Sequence, residues 1–185
     1  MIKETLKEAE TRMKGAIQVL EDDLAGIRTG RASPVLLERL QVEYYGAPTP
    51  LVQLASISVP EPRQLLVRPF DAATLKTIER AILASDLGLT PNNDGKVIRL
   101  NLPPLTEERR RDLVKVVNNR AEEARIAVRN VRRDLVRDLR EFQQEKLISE
   151  DDLKTGEEEL QKHTDQMIKQ VDAVAERKQK EIMEV

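Results

Sequence analysis

Apolar residues open the chain at alternating intervals of three and four: Ile2, Leu6, Ala9, Met13, Ile17, Leu20, Leu24 and Ile27. Polar residues fill the gaps. That spacing is the seam of a helix packed in a bundle, and it predicts a first helix over about 2–29. Gly15 and Gly26 weaken it locally without breaking the pattern. Gly30 suits a left-handed cap, and Pro34 blocks continuation.

The pattern then changes. Over 35–104 proline, glycine and β-branched residues become frequent. Leu40, Val42 and Tyr44 alternate with Gln41 and Glu43, as in a half-buried strand. Residues 46–50 read as a turn. Val52, Leu54, Ile57 and Val59 predict a second strand, with a bulge or bend where the alternation slips at Ala55-Ser56. Leu65–Arg68 predicts a third. Asp71 caps a short helix over about 72–84 with Leu75, Ile78, Ile82 and Leu83 on one face. Asn92-Asn93-Asp94-Gly95 is a hairpin turn leading into a strand at Lys96–Leu102.

Beyond Pro103-Pro104 the helical period returns. Thr106 is an N-cap, and Glu107 and Glu108 suit the positive end of a helix dipole. Leu113, Val117, Ala121, Ala124, Val128, Val131, Leu135, Leu139 and Phe142 form a seam, predicting a helix over about 106–146. Ser149, with Asp152 at the capping-box position, starts a last helix. Its seam runs through Leu153, Leu160, Met167, Val171, Val174 and Ile182. Helices of this length span roughly 45–60 Å. Each has one narrow apolar stripe, and three such stripes are buried only against one another. The expected fold class is therefore α+β: an elongated three-helix bundle from residues 1–30 and 105–185. A small α/β domain, residues 31–104, is inserted between helices 1 and 2. The connections, Ala32-Ser33-Pro34 and Pro103-Pro104, are expected to act as stiff but bendable hinges.

Composition narrows the chemistry. Among 185 residues there is no Cys, no Trp and one His, with two Tyr and two Phe. Disulfides, thiolate metal sites, Cys nucleophiles and multi-histidine metal sites are excluded. An aromatic base-stacking platform is not available either. No apolar run approaches the roughly 20 residues of a membrane span, and Met1–Thr5 lacks a secretion-signal core. A cytoplasmic, soluble chain is expected, with no metal, no cofactor and no enzymatic activity. His163 reads as a packing or surface residue. Asp151-Asp152 and Glu157–Glu159 read as capping and solvated acids.

The net charge of −2 hides a strong asymmetry. Residues 106–140 carry 11 basic and 7 acidic side chains, whereas 141–185 carry 7 basic and 13 acidic. The basic helix uses ten arginines and one lysine. On a helical wheel Arg125, Arg129, Arg132, Arg133 and Arg140 fall on one flank of the seam. Glu123, Asp134, Asp138 and Glu141 fall on the other. Guanidinium groups in a line can follow a nucleic-acid backbone, with Arg28 and Arg31 as an extension. An arginine-rich helix beside an acidic one is equally the pattern of a solvated, salt-bridged bundle, or of a coiled-coil scaffold. Charge alone leaves these readings open.

The order of short motifs adds a resemblance. Ile27-Arg28-Thr29-Gly30-Arg31-Ala32-Ser33-Pro34 closes the first helix, followed by Tyr44-Tyr45-Gly46 and Thr49-Pro50-Leu51. Then come Ser85–Leu89, Gly95–Arg99, Leu105–Arg110 and Val128–Asp134. Over essentially the whole chain this resembles the bacterial ribosome recycling factor family. The resemblance implies a partner of elongation factor G. Using GTP hydrolysis by that partner, it would split post-termination ribosomes so that mRNA and tRNA leave, with initiation factor three keeping the subunits apart. It implies a monomer whose bundle lies on large-subunit rRNA and whose small domain faces elongation factor G. Arg28, Gly30, Arg31, Arg110, Arg129 and Arg132 match family motif positions, and Arg125 and Arg133 join them on the charged flank. Phe70, Leu135 and His163 depart from common family residues without removing an arginine.

Overall fold

The computed structural model describes residues 1–184, which form two compact units, Met1–Arg28 with Thr106–Val185, and Thr29–Leu105. The first unit consists of three helices: α1 (Ile2–Ala25), and two longer ones over Glu107–Gln144 and Glu150–Met183, each packed against the other two. Its core is a continuous line of buried side chains. The first helix contributes Ala9, Met13, Ile17, Leu20 and Leu24, and the second Leu113, Val117, Ala121, Ala124, Val128, Val131, Leu135 and Leu139. The third contributes Leu160, Met167, Val171, Ala175 and Ile182.

The seams differ from the apolar pattern at a few positions. Thr5 is buried where Leu6 was the expected seam residue, and Ala175 replaces Val174. Gly156 and Thr164 also occupy the seam of the third helix. A threonine is tolerated there because its hydroxyl donates to the carbonyl one turn back: Thr5 to Met1 at 3.1 Å and Thr164 to Leu160 at 2.7 Å. Phe142 is only partly buried.

Helix ends follow their caps. The first helix stops at Ala25, four residues short of the expected end, and the Ile27 N–H bonds the Leu24 carbonyl in a tighter last turn. Gly30 does adopt a left-handed φ of +78°, but within the second unit and beyond the helix end. Thr106 accepts from the Arg109 N–H at 3.1 Å. At the third helix Ser149 accepts from the Asp152 N–H at 3.0 Å while the Asp152 carboxylate accepts from the Ser149 N–H at 3.1 Å, a complete capping box.

The second unit runs α2 (Val35–Glu38), β1 (Gln41–Tyr44), β2 (Ala47–Pro50), α3 (Leu51–Leu54), β3 (Ala55–Glu61), β4 (Gln64–Pro69), a 3₁₀ turn (Ala72–Thr74), α4 (Leu75–Ala84), β5 (Pro91–Asn93) and β6 (Ile98–Asn101). The long helices of the first unit are accordingly α5 and α6. β1 and β2 form an antiparallel ribbon, and the other strands an antiparallel sheet in the order β3-β4-β6-β5. Leu75, Ile78 and Ile82 of α4 share one core with Leu65, Val67, Ile98 and Leu100 of the sheet and Leu37, Val42 and Leu51.

Several expectations are corrected here. Residues 47–50 are a strand paired with β1, so the turn is confined to Tyr45-Gly46, both with positive φ. Val52 and Leu54 belong to a single helical turn, and the slip at Ala55-Ser56 is a helix-to-strand junction; the irregular pairing falls later, between Ser58 and Glu61. Leu83 is exposed. The expected hairpin is present but its turn is shifted: Asn92 and Asn93 belong to β5, paired with Arg99 and Ile98, and the turn spans Asp94–Val97, closed by the Asp94 N–H on the Val97 carbonyl at 3.2 Å. Asp94 accepts from the Lys96 and Val97 N–H groups, both at 2.9 Å; the bond from Val97 and then that from Lys96 hold its carboxyl below the usual range.

The unit boundaries fall at Arg28/Thr29 and Leu105/Thr106, so Gly30 and Leu105 belong to the second unit, not to the bundle. A Cβ on Gly30 would stand 3.2 Å from Leu105 Cγ, which brings the two connections side by side. Both are tied to the β3–β4 turn: the Ala32 N–H donates to the Pro62 carbonyl at 2.7 Å and the Leu102 N–H to the Arg63 carbonyl at 2.8 Å. Ser33 and Pro34 open α2, their carbonyls accepting from Leu36 and Leu37.

Candidate nucleic-acid interface

α5 is long because its seam never breaks. The same regularity places every other side chain at a fixed angle around it. Two flanks result. On the flank toward α1, Asp134 accepts from Arg12 at 3.0 Å. On the flank toward α6, Arg125 donates through Nε to Asp172 at 2.8 Å, and Arg140 to Glu157 at 2.8 Å. The arginine flank therefore runs along the side of α5 next to α6.

The expected arginines are not equivalent. Arg125 is held by two carboxylates, Asp172 on α6 and Glu122 one turn back at 3.0 Å, and only a quarter of its side chain is exposed. Its pKa is pushed up, chiefly by the hydrogen bond to Asp172 and against the effect of burial. Arg129 sits 3.6 Å from the other oxygen of Glu122. Arg132 and Arg133 make no ion pair among the described residues. Arg137 leans on Asp138 and Glu141, at 3.4 and 4.0 Å. Arg110 lies in the first turn of α5, one turn before the first seam residue Leu113, and its Nε is buried without a hydrogen-bond partner.

A groove of about 500 Å³ lies along this part of α5, lined by Arg132, Arg133, Val136, Arg137, Arg140, Glu141 and Gln144. Four guanidinium groups surround one apolar side chain, a surface suited to phosphates and sugars and not to a small apolar ligand. Val136, Arg137 and Gln144 were absent from the expected set, and Glu141, expected on the opposite flank, lines the same groove. Their places follow from Arg132 and Arg133 by adding four and then seven or eight residues, so helical spacing could have found them.

The remaining expected positions lie elsewhere. Arg28 is the last residue of the first unit, while Gly30 and Arg31 are in the second; both arginines have exposed side chains. Acidic residues of α6 serve in capping and in pairing with α5, the latter including Glu157, which was expected to be solvated. Asp152 caps its helix, Glu157 pairs with Arg140, and His163 is half-buried beside the seam. Among the described residues no three acidic or histidine side chains gather as a metal would require. No helix among them is long and apolar enough to cross a membrane.

The chain is thus a three-helix bundle with an arginine-faced second helix, interrupted after its first helix by a small α+β unit. A family model described as ribosome recycling factor matches residues 20–183. The ribosome-recycling factor of Halalkalibacterium halodurans is 58% identical over 185 residues, and that of Syntrophomonas wolfei 56%, each covering all of both chains. The chain belongs to the ribosome recycling factor family. A solution structure of a ribosome recycling factor aligns with a TM-score of 0.75 at 46% identity, covering 100% of this chain and 98% of the other. The T. thermophilus ribosome recycling factor, described together with E. coli elongation factor G bound to the E. coli post-termination complex, aligns with a TM-score of 0.63 at 49% identity over the full length of both.

Proposed function

We propose that this protein recycles ribosomes after termination. It binds the large subunit of the post-termination complex through rRNA. With elongation factor G, and GTP hydrolysis by that partner, it separates the subunits so that mRNA and tRNA leave. Initiation factor three then keeps them apart. The protein works as a cytoplasmic monomer and makes or breaks no covalent bond itself. The observation that carries this reading is the α5 row from Arg125 to Arg133 with its guanidinium-lined groove, in a chain of this family. Arg110, Arg28, Gly30 and Arg31 complete the proposed rRNA-contacting set.

In this mechanism the bundle is the anchor and the second unit receives the push of the translocase. The exposed Tyr45 and Phe70 of that unit are large apolar groups that such an interface would bury. Stiffness comes from the unbroken seams of α5 and α6. Because Ala32 is bonded to the second unit, bending at the first connection is assigned to the residues before it, and at the second to Pro103-Pro104.

Light scattering of post-termination ribosomes tests the reading. A fall that requires this protein, elongation factor G and GTP together supports recycling. Binding without a fall restricts the protein to occupancy of the ribosome. A chain that self-associates and ignores ribosomes is a coiled-coil scaffold, and the proposal is wrong.

A further inference from the structure

The carboxylates beside the arginine row have a role of their own. Glu122 reaches both Arg125, at 3.0 Å, and Arg129, at 3.6 Å, while Asp172 reaches across from α6 to Arg125 at 2.7 Å. A carboxylate so placed occupies the donors that a phosphate would use. One helical turn further on, Arg132 and Arg133 have no such partner among the described residues and line the groove. The row from Arg125 to Arg133 is thus divided into an occupied end and an open pair, beyond which Arg140 is held again, by Glu157 on α6 at 2.8 Å.

We propose that Glu122 and Asp172 limit the RNA affinity of the bundle by holding Arg125 and Arg129 away from phosphates, so that contact concentrates at Arg132 and Arg133. The inference rests on the reading that α5 is the RNA-facing surface, and it narrows that reading. An RNA backbone that engages Arg125 must first displace a carboxylate, and the displaced carboxylate then repels the phosphates. The net gain from such a contact is small. A surface that presented the whole row would bind any RNA duplex, whatever its shape, because phosphate contacts carry no sequence information. Restraining half of the row lowers this indiscriminate binding and leaves selection to the shape of the site that meets the open end. The Asp172 part of the restraint depends on the packed bundle, since Asp172 lies 47 residues from Arg125 in sequence, whereas Glu122 acts from the same helix.

The test is a salt series of binding to an unrelated RNA duplex and to purified large ribosomal subunits. The double variant Glu122→Gln/Asp172→Asn keeps side-chain size and frees Arg125 and Arg129. Each released arginine adds about one phosphate contact, roughly threefold in affinity near physiological salt, so the duplex should bind about tenfold tighter with a steeper salt slope. Asp151→Asn/Glu176→Gln changes the net charge equally at exposed acids that hold no arginine among the described residues, and should gain much less. In an Arg125→Ala/Arg129→Ala background the gain from Glu122→Gln/Asp172→Asn should vanish. Asp172→Asn alone should yield part of the gain, and far-ultraviolet circular dichroism checks that each variant folds. Equal gains from the two double variants would mean bulk charge, and would overturn the proposal. No gain, or a gain that persists without the two arginines, would overturn it also. The underlying reading fails separately: large-subunit binding indifferent to Arg132→Ala/Arg133→Ala would remove α5 as the RNA face, whatever the duplex series gives.

Discussion

Leu139 on α5 points at Gly156 on α6 so closely that a Cβ at 156 would stand 2.9 Å from Leu139 Cδ1. Leu139 is fully buried, so its methyl has little room to retreat. Gly156 is therefore a point of close approach between the two helices, and its helix-weakening effect is accepted for that approach.

Gly15 provides the contrast, since it lies on the exposed side of α1 with nothing within 4 Å of where a Cβ would stand. Gly15→Ala should stabilise the bundle by about 0.5–1 kcal/mol through helix propensity. Gly156→Val should destabilise it by about 1–3 kcal/mol through overpacking. Urea denaturation of both variants checks the opposite signs.

The start of α6 should be sensitive to acid. The Asp152 carboxyl is held below its usual range first by the Ser149 N–H and then by the Ser149 hydroxyl. A carboxylate lowered in the folded chain stabilises it fully above its unfolded pKa, and the contribution is lost as pH falls through the lower folded value. Asp152→Asn should thus lose stability at neutral pH, with the difference from the parent closing below about pH 4. Ser149→Ala should cost about 1 kcal/mol at neutral pH. Thermal melts across a pH series decide both; a constant offset from pH 7 to the acid limit would contradict the assignment to Asp152.

Gly30 should resist replacement for two reasons that act together. Its φ of +78° disfavours any L side chain, and the new Cβ would press on Leu105. Gly30→Ala should cost about 1–2 kcal/mol, taking backbone strain alone as about 1 kcal/mol. Gly46 and Gly95 share the positive φ but face open space, so their alanine variants should carry the backbone cost only. Chemical denaturation of the three variants compares them directly, and equal losses at all three positions would mean that the Leu105 contact is unimportant.

Ile78 is fully buried between α4 and the sheet. Ile78→Ala should destabilise the second unit by about 2–5 kcal/mol. The seams of α1, α5 and α6 do not involve it, so hydrogen exchange should accelerate in the second unit and much less in the bundle. Uniform acceleration throughout the chain would show that the units unfold as one.

Much of this architecture was legible in the order of residues. A helix with an unbroken period reports its own length and its buried face, which is why Leu113–Leu139 were readable as one seam. Capping boxes and hairpins are equally local, so Ser149–Asp152 and the hairpin at Asp94-Gly95 could be read from short segments, although Asn92 and Asn93 proved to be strand and not turn. Short segments with mixed signals were not. Ala47–Pro50 contains two prolines, yet forms a strand because its partner β1 is adjacent across a tight turn. Leu51–Leu54 turns helical within a stretch whose alternation suggests a strand. Seam positions filled by Thr5, Gly156 and Thr164 escaped because nothing in their hydropathy marks them as buried.

The same division applies to the charged face. Helical periodicity alone determined that Arg125, Arg129, Arg132, Arg133 and Arg140 share a flank of α5, since the angle between residues on one helix does not depend on what surrounds it. Glu122 pairs with Arg125 and Arg129 within α5, but the contacts of Asp172 and Glu157 with Arg125 and Arg140 were decided only when α6 packed alongside. Distances across a bundle depend on the register between helices, and that register is set by the interlocking of buried side chains such as Leu139 against Gly156.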